Sequence, residues 1–237
     1  MSFNPACPTR GDPEASEITR FGQTALRASA AIFFWVEGAI GMADIQLEGV
    51  PAHFFHHYAA QMVNLDPQHV YRMQVGRQSV AQLRPLLGAS TSGNEIYGNF
   101  LRRYGIVDII DLLFWSEGRP VAGLGLMKRP SDPPVCTEAI ETAFALHRFV
   151  EYNLPRHSRL AQQRLRQILM RTYQLTVRES SVAELVAQGQ TNAEIASHLD
   201  ISLPTVKTHL LHVLAKTGCE NRTHLAATLA REKAGHN

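Results

Sequence analysis

Apolar residues along the chain fall into two rhythms, short strand-like runs in the first two thirds and helical spacing in the last third. Residues 21–30 predict a helix. Ala31-Ile32-Phe33-Phe34-Trp35-Val36 is a compact apolar run of strand length, and a second short strand is expected after Gly41, near Asp44–Glu48. Pro51 opens a helix reaching about Val63, whereas residues 76–92 give weak signals and read mostly as loop. Over Asn94–Tyr104, Ile96, Tyr97, Phe100, Leu101 and Tyr104 recur at helical spacing, and Gly105 ends the run. Val107–Trp115 and Arg119–Met127 then read as a hairpin around Ser116-Glu117-Gly118. Its first strand is apolar on both faces apart from Asp108 and Asp111. In its second strand Gly123 and Gly125 share a face and leave a groove, which either close helix packing or a ligand cavity accounts for. Thr137–Asn153 predicts a closing amphipathic helix.

From residue 175 onward the helix boundaries are written in the sequence. Thr176-Val177-Arg178-Glu179 and Thr191-Asn192-Ala193-Glu194 are capping boxes, in which each Thr accepts from the third amide and each Glu reaches back. The first helix stops at Gly189 and the second near Leu199. Ser202 is a good cap for a third helix, with Pro204 in its first turn. On that helix Val206, Leu210, Val213 and Thr217 form one stripe with Leu214 at its edge, which faces a core. Thr208, Leu211, His212 and Ala215 point the other way. A polar, short-side-chain outer face suits a helix lying in the major groove. His209, on the flank, either bridges helices or contacts a phosphate. Gly218 ends the third helix and Asn221 caps a fourth, with Thr223, Leu225, Ala226 and Leu229.

This segment resembles the LuxR/GerE-type DNA-binding domain. The residues that carry the likeness are Leu175-Thr176, Arg178-Glu179, Ala187-x-Gly189, Asn192-x-Glu194-Ile195-Ala196, Ile201-Ser202, Thr205-Val206-Lys207-x-His209, Lys216-x-Gly218 and Arg222-Thr223. The resemblance implies a four-helix domain that binds double-stranded DNA as a homodimer, its third helix reading the groove. The DNA-binding candidates are then Thr205, Lys207, Thr208, Leu211, His212, Arg222 and Thr223. Val177 stands where the family usually has proline, Thr217 where an apolar core residue is usual, and Leu211 in a slot more often polar or basic.

Charge sharpens this picture. The chain carries a net charge of +2. Over residues 175–237 six cations meet six anions, whereas 152–174 holds five arginines and no acid. The positive charge therefore sits in the connector before the reader. Arg164, Arg166 and Arg171 are expected to touch phosphates there, unless the connector is a solvated linker.

Several function classes are excluded. Cys7, Cys136 and Cys219 are odd in number and show neither disulfide nor zinc spacing. His53, His56 and His57 have a spacing that can bind metal, but no Cys or acid lies near them in sequence, so no metal or cofactor is expected. Gly88-Ala89-Ser90-Thr91-Ser92-Gly93 lacks the spacing and preceding strand of a nucleophile elbow. No phosphate-binding loop is present, nor the acidic pair of a receiver domain, and an enzyme is not expected. No apolar run reaches 18 residues and no leader pattern opens the chain, so a cytoplasmic protein without a membrane partner is expected.

The expected fold class is α+β. It comprises a flexible N-terminus over 1–20, an antiparallel sheet flanked by helices over 21–154, a basic helical linker over 155–173, and a four-helix helix-turn-helix domain over 174–237. The order of elements in 21–154 is similar to GAF/PAS-like sensor domains, among them the autoinducer-binding domain that often precedes a LuxR-type reader. Asp66-Pro67 resembles that domain's Asp-Pro pair, and Tyr58 and Trp35 stand as counterparts of its pocket aromatics. The next tryptophan after Asp66 is Trp115. These four residues are the candidate ligand pocket, Asp66 either anchoring a ligand or capping the segment that starts at Pro67. The reading is a transcription regulator, quorum-sensing-like, that responds to a small-molecule effector. Its alternative is a ligand-independent regulator whose N-terminal domain is a dimerisation or protein-interaction platform.

Overall fold

A computed structural model describes residues 12–38, 41–88 and 91–234. The expected flexible segment 1–20 lies in part outside the described residues, as does Cys7. The chain divides into two compact units, residues 1–153 and 154–237.

The first unit begins with helix α1, Pro13–Leu26, well before the expected start at 21. Asp12 caps it, its carboxylate accepting from the amides of Glu14 and Ala15, and Pro13 fills the first turn. The buried stripe is Ala15, Thr19, Gly22 and Leu26. Three of these four residues are small, so the buried stripe lacks the large apolar residues that would mark it in the sequence. Strands β1 (Ala30–Glu37) and β2 (Gly41–Glu48) follow, and then helix α2 (Ala52–His57), which continues as one π-turn over Tyr58–Met62. Helix α3 (Val70–Val75), strand β3 (Val80–Gln82) and helix α4 (Leu83–Leu87) come next. Much of the expected loop over 76–92 is thus regular. Asp108 organises it from a distance, accepting from Gln82 Nε2 at 2.7 Å and from the Arg84 amide at 2.9 Å. Local sequence carries no sign of such a tie. Helix α5 (Ser92–Arg103), strands β4 (Asp108–Ser116) and β5 (Arg119–Lys128) and helix α6 (Thr137–Asn153) complete the unit close to their expected bounds.

The five strands form one antiparallel sheet in the order β2-β1-β5-β4-β3. Alternation assigns its two faces. Phe33, Trp35, Leu124, Leu126 and Phe114 lie on the face beneath α1 and α6. Ile32, Phe34, Ile109, Leu113 and Met127 join a second core with Phe54, Phe55 and Tyr58, and with Val70, Met73, Tyr97 and Phe100 from the opposing helices. Gly123 and Gly125 lie on this second face. No helix fills their groove; side chains from the neighbouring strands do. A Cβ on Gly123 would fall inside the Phe34 ring, and one on Gly125 would lie 2.8 Å from Asp111 Oδ1.

The second unit is all-helical. Helix α7 (Ser158–Arg171) is followed by α8 (Val177–Ala187), α9 (Asn192–Leu199), α10 (Leu203–Thr217) and α11 (Arg222–Ala234). Both capping boxes form, and Gly189 and Gly218 adopt the left-handed conformation at the helix ends. Leu165 and Leu169 of α7 are buried with Val182, Val186, Ile195, Val206, Val213, Leu225 and Leu229. The basic connector is therefore packed into the second unit's core. Among the described residues no helix is long and apolar enough to cross a membrane.

Gly123→Ala is expected to destabilise the first unit by about 1–3 kcal/mol, because the added methyl meets the Phe34 ring in a filled core. Urea unfolding followed by near-ultraviolet circular dichroism checks this.

Candidate functional sites

In the second unit, α10 presents the exposed row Thr205, Lys207, Thr208, Leu211 and His212, while Val206 and Val213 on its far side are fully buried. The cap fixes where this row begins. Ser202 accepts from the Thr205 amide at 3.2 Å, and the two hydroxyls share a hydrogen bond of 2.7 Å. Thr208 donates back to the Pro204 carbonyl. The Lys207 ammonium has no partner among the described residues, so it extends into solvent as a free cation.

Helix α10 is tied down by Glu179, a role that the capping box alone did not reveal. Glu179 Oε2 accepts from the Thr176 amide at 2.9 Å and from Lys216 Nζ at 2.6 Å, while His212 Nδ1 lies 3.6 Å from Oε1. One carboxylate thus caps α8 and clasps both the last turn and the outer face of α10. Burial alone would raise its pKa, but the Lys216 ammonium and the Thr176 hydrogen bonds outweigh this and hold it at about 2. Arg222 also has a structural role. It donates to Asn192 Oδ1 at 3.0 Å and to the Gln190 carbonyl, linking the start of α11 to the turn before α9. Thr223 beside it is exposed. Of the connector arginines, Arg166 lies 3.8 Å from Glu184 of α8, Arg164 is half-buried and Arg171 is exposed.

In the first unit, a cavity of about 50 Å³ lies between the glycine face of the sheet and α2, α3 and α5. Its walls bring together Tyr58 and Asp66 but neither tryptophan. Trp35 is on the opposite face of the sheet, edge-on to Phe33. The six-residue apolar run does not reveal which alternate side chains face the cavity. Trp115 follows an irregularity in the β4–β5 register and packs at the rim of the core without reaching the cavity.

Asp66 takes the capping role and also lines the cavity. Its Oδ1 accepts from the Gln68 amide at 2.8 Å, capping the segment after Pro67, and its Oδ2 accepts from the Tyr58 hydroxyl at 2.7 Å. The Tyr97 hydroxyl bonds to the same carboxyl. Burial raises the pKa of Asp66 against these three hydrogen bonds. Burial, followed by the charges of Asp66 and Asp108, pushes Asp111 well above the usual carboxylate range. Tyr97, Gln68 and Asp111 were not among the expected pocket residues. Asp111 had left a trace, as an acid within a strand otherwise apolar on both faces. Elsewhere on α2, His57 contacts the Tyr104 hydroxyl and Gln61 at 3.2 Å each, and no group of three His, Cys, Asp or Glu among the described residues is placed to hold a metal.

Known proteins are similar to this chain to different extents. Residues 173–229 match the family model of bacterial regulatory proteins, luxR family. The monoamine regulon transcriptional regulator of Klebsiella aerogenes is 29% identical over 199 residues, spanning 84% of this chain and 82% of that protein. The nitrate/nitrite response regulator protein NarL of Escherichia coli strain K12 is 42% identical over 60 residues, 25% of this chain and 28% of NarL. A crystal structure of Escherichia coli SdiA aligns over 91% of this chain and 90% of its own, with a TM-score of 0.47 and 18% identity. The C-terminal unit carries a luxR-family helix-turn-helix domain.

Its departures from the luxR-family pattern are absorbed locally. Val177 stands in the exposed first turn of α8. Thr217 is half-buried and satisfies its hydroxyl by donating to the Val213 carbonyl at 2.8 Å. Leu211 is 66% exposed on the outer face of α10.

Glu179 gives the luxR-family domain an acid-sensitive joint. Its folded pKa of about 2 lies below the ordinary 4.5, so its stabilisation is complete above pH 4.5 and is lost as pH falls toward 2. Glu179→Gln is expected to lower the melting temperature at pH 7 by a few degrees and to flatten its decline between pH 4.5 and 3. Thermal melts across that range, followed by far-ultraviolet circular dichroism, check both effects.

Proposed function

We propose that the chain is a transcriptional regulator that binds a partly symmetric DNA site as a homodimer and that its N-terminal unit senses a small molecule. The observation that carries the DNA reading is the exposed row on α10, with an unpaired Lys207 ammonium beside Thr205 and Thr208 on a helix capped at Ser202. In this reading Lys207, Thr208, Leu211 and His212 face base edges and the nearest phosphates. Thr205 and Thr223 contact the backbone, and Arg222 shapes the turn that presents them. Two copies would set their reading helices one DNA turn apart.

Ligand sensing is supported by the cavity, which has mostly apolar walls and a few convergent polar groups. The alternative, a ligand-independent pairing platform, is favoured by one observation. Phe21 of α1 and Phe144, Phe149 and Tyr152 of α6 are large exposed aromatics, with Phe21 edge-on to Phe149. The same patch supports homodimer formation, so the two readings share it and differ at the cavity. A thermal-shift panel of metabolites and lactones separates them. A ligand that favours the native state raises the melting temperature, whereas a pure platform responds to none.

Two measurements test the DNA reading. Lys207→Ala with Thr208→Ala is expected to weaken binding to a DNA site selected from a random library by roughly tenfold or more, with the fold intact. Normal retardation by that variant would remove α10 from the role of reader. Arg164→Gln with Arg166→Gln is expected to reduce the salt dependence of binding by about one to two units of slope. An unchanged slope assigns these arginines to the domain's own packing, as the contact between Arg166 and Glu184 already does in part.

A further inference from the structure

The cavity holds more negative chemistry than the chain itself neutralises. Asp66 and Asp111 both line it, and no lysine or arginine does. Its one basic lining residue is His69. His69 Nδ1 accepts from the Tyr71 amide at the start of α3, while burial, then the Arg72 charge, lowers its pKa and keeps it neutral. Asp66 has three donors. Asp111 has none among the described residues, although Gly125 opposite clears space for its carboxyl.

Gln68 is a second, independent observation. Its side chain is 4% exposed and lines the same cavity, yet neither its amide nitrogen nor its oxygen has a hydrogen-bond partner. A buried amide left without partners is costly, so this one calls for a polar group from outside the chain.

We propose that the cavity binds a small primary ammonium ion, its cationic head between Asp66 and Asp111 and a second polar group on the Gln68 amide. The proposal deepens the sensing reading and rests on it. A cation is the charge that two facing carboxyls favour, and an anionic ligand would be repelled by both. A neutral ligand could donate a hydrogen bond to Asp111 but would bring no counter-charge to the two carboxyls. The rings of Phe54, Tyr58 and Tyr97 surround the site and add faces that attract an organic cation. A bare metal ion fits poorly, because no three ligating side chains converge. A volume of about 50 Å³ accommodates roughly four water-sized atoms, which sets the scale of the ligand.

The test compares 3-amino-1-propanol with its neutral counterpart 1,3-propanediol and its anionic counterpart 3-hydroxypropanoate, by calorimetry and thermal shift on the full chain. The amine is expected to bind at least tenfold more tightly than the diol, and the acid not at all. Asp111→Asn should erase the preference of amine over diol, and Gln68→Met should weaken both alike. Equal binding of amine and diol by the wild-type protein would overturn the proposal, and that comparison stands even if a variant fails to fold. Stabilisation by N-butanoyl homoserine lactone but not by the amine would also overturn it, leaving the sensing reading in place. No stabilisation by any compound would overturn both.

Discussion

The architecture of the first unit turns on two missing side chains. Gly123 and Gly125 lie on the central strand β5 and face the helices that cover one side of the sheet. In the space they leave, the Phe34 ring lies across the strand and the Asp111 carboxyl reaches inward. A pleated sheet studded with large side chains at these positions would push the opposing helices away and leave no polar floor. With the floor in place, Tyr58, Asp66 and Tyr97 from the covering segments meet over it and satisfy one another. The cavity therefore follows from the absence of two Cβ atoms, and its chemistry from the acid that fills the gap.

A different constraint governs the second unit. Its helices are short, and their ends leave many amides and carbonyls without helical partners. Thr176, Thr191 and Ser202 satisfy the starting amides, and the left-handed Gly189 and Gly218 allow the chain to turn at the ends. Glu179 does this twice over, closing a cap and holding Lys216 of α10. The orientation of α10 is thus set by charge-assisted hydrogen bonds at its C-terminal turn and by apolar packing through Val206 and Val213. Of its outer row, Thr205, Lys207, Thr208 and Leu211 stay exposed, while His212 lies beside Glu179.

How much of this was legible depends on how local each cause is. Caps, glycine stops and helical stripes lie within a few residues, so the boundaries from Thr176 to Asn221 read directly. The hairpin of β4 and β5 was legible for the same reason. Elements held by distant partners were not. Strand β3 and helix α4 depend on Asp108, more than 20 residues away, and α1 buries mostly small residues that do not stand out as a core stripe. The cavity was half legible. Tyr58 and Asp66 line it, whereas Trp35 lies on the other face and Trp115 at the rim, because chemistry alone does not reveal the face of a strand.

The two units also differ in how they hold charge. The C-terminal unit neutralises its most deeply involved carboxylate, Glu179, with a lysine of its own, and its pKa falls. The N-terminal unit gives Asp66 only hydroxyl and amide donors and Asp111 no donor among the described residues, and both pKa values rise. A buried carboxyl with a built-in counter-ion is part of a finished structure, since removing the partner leaves a charge with nothing to balance it. A buried carboxyl without one takes up a proton or waits for a cation from outside. That difference separates the structural acid Glu179 from the acids of the cavity, where, on the proposed sensing role, an incoming cation would change the energy of the fold.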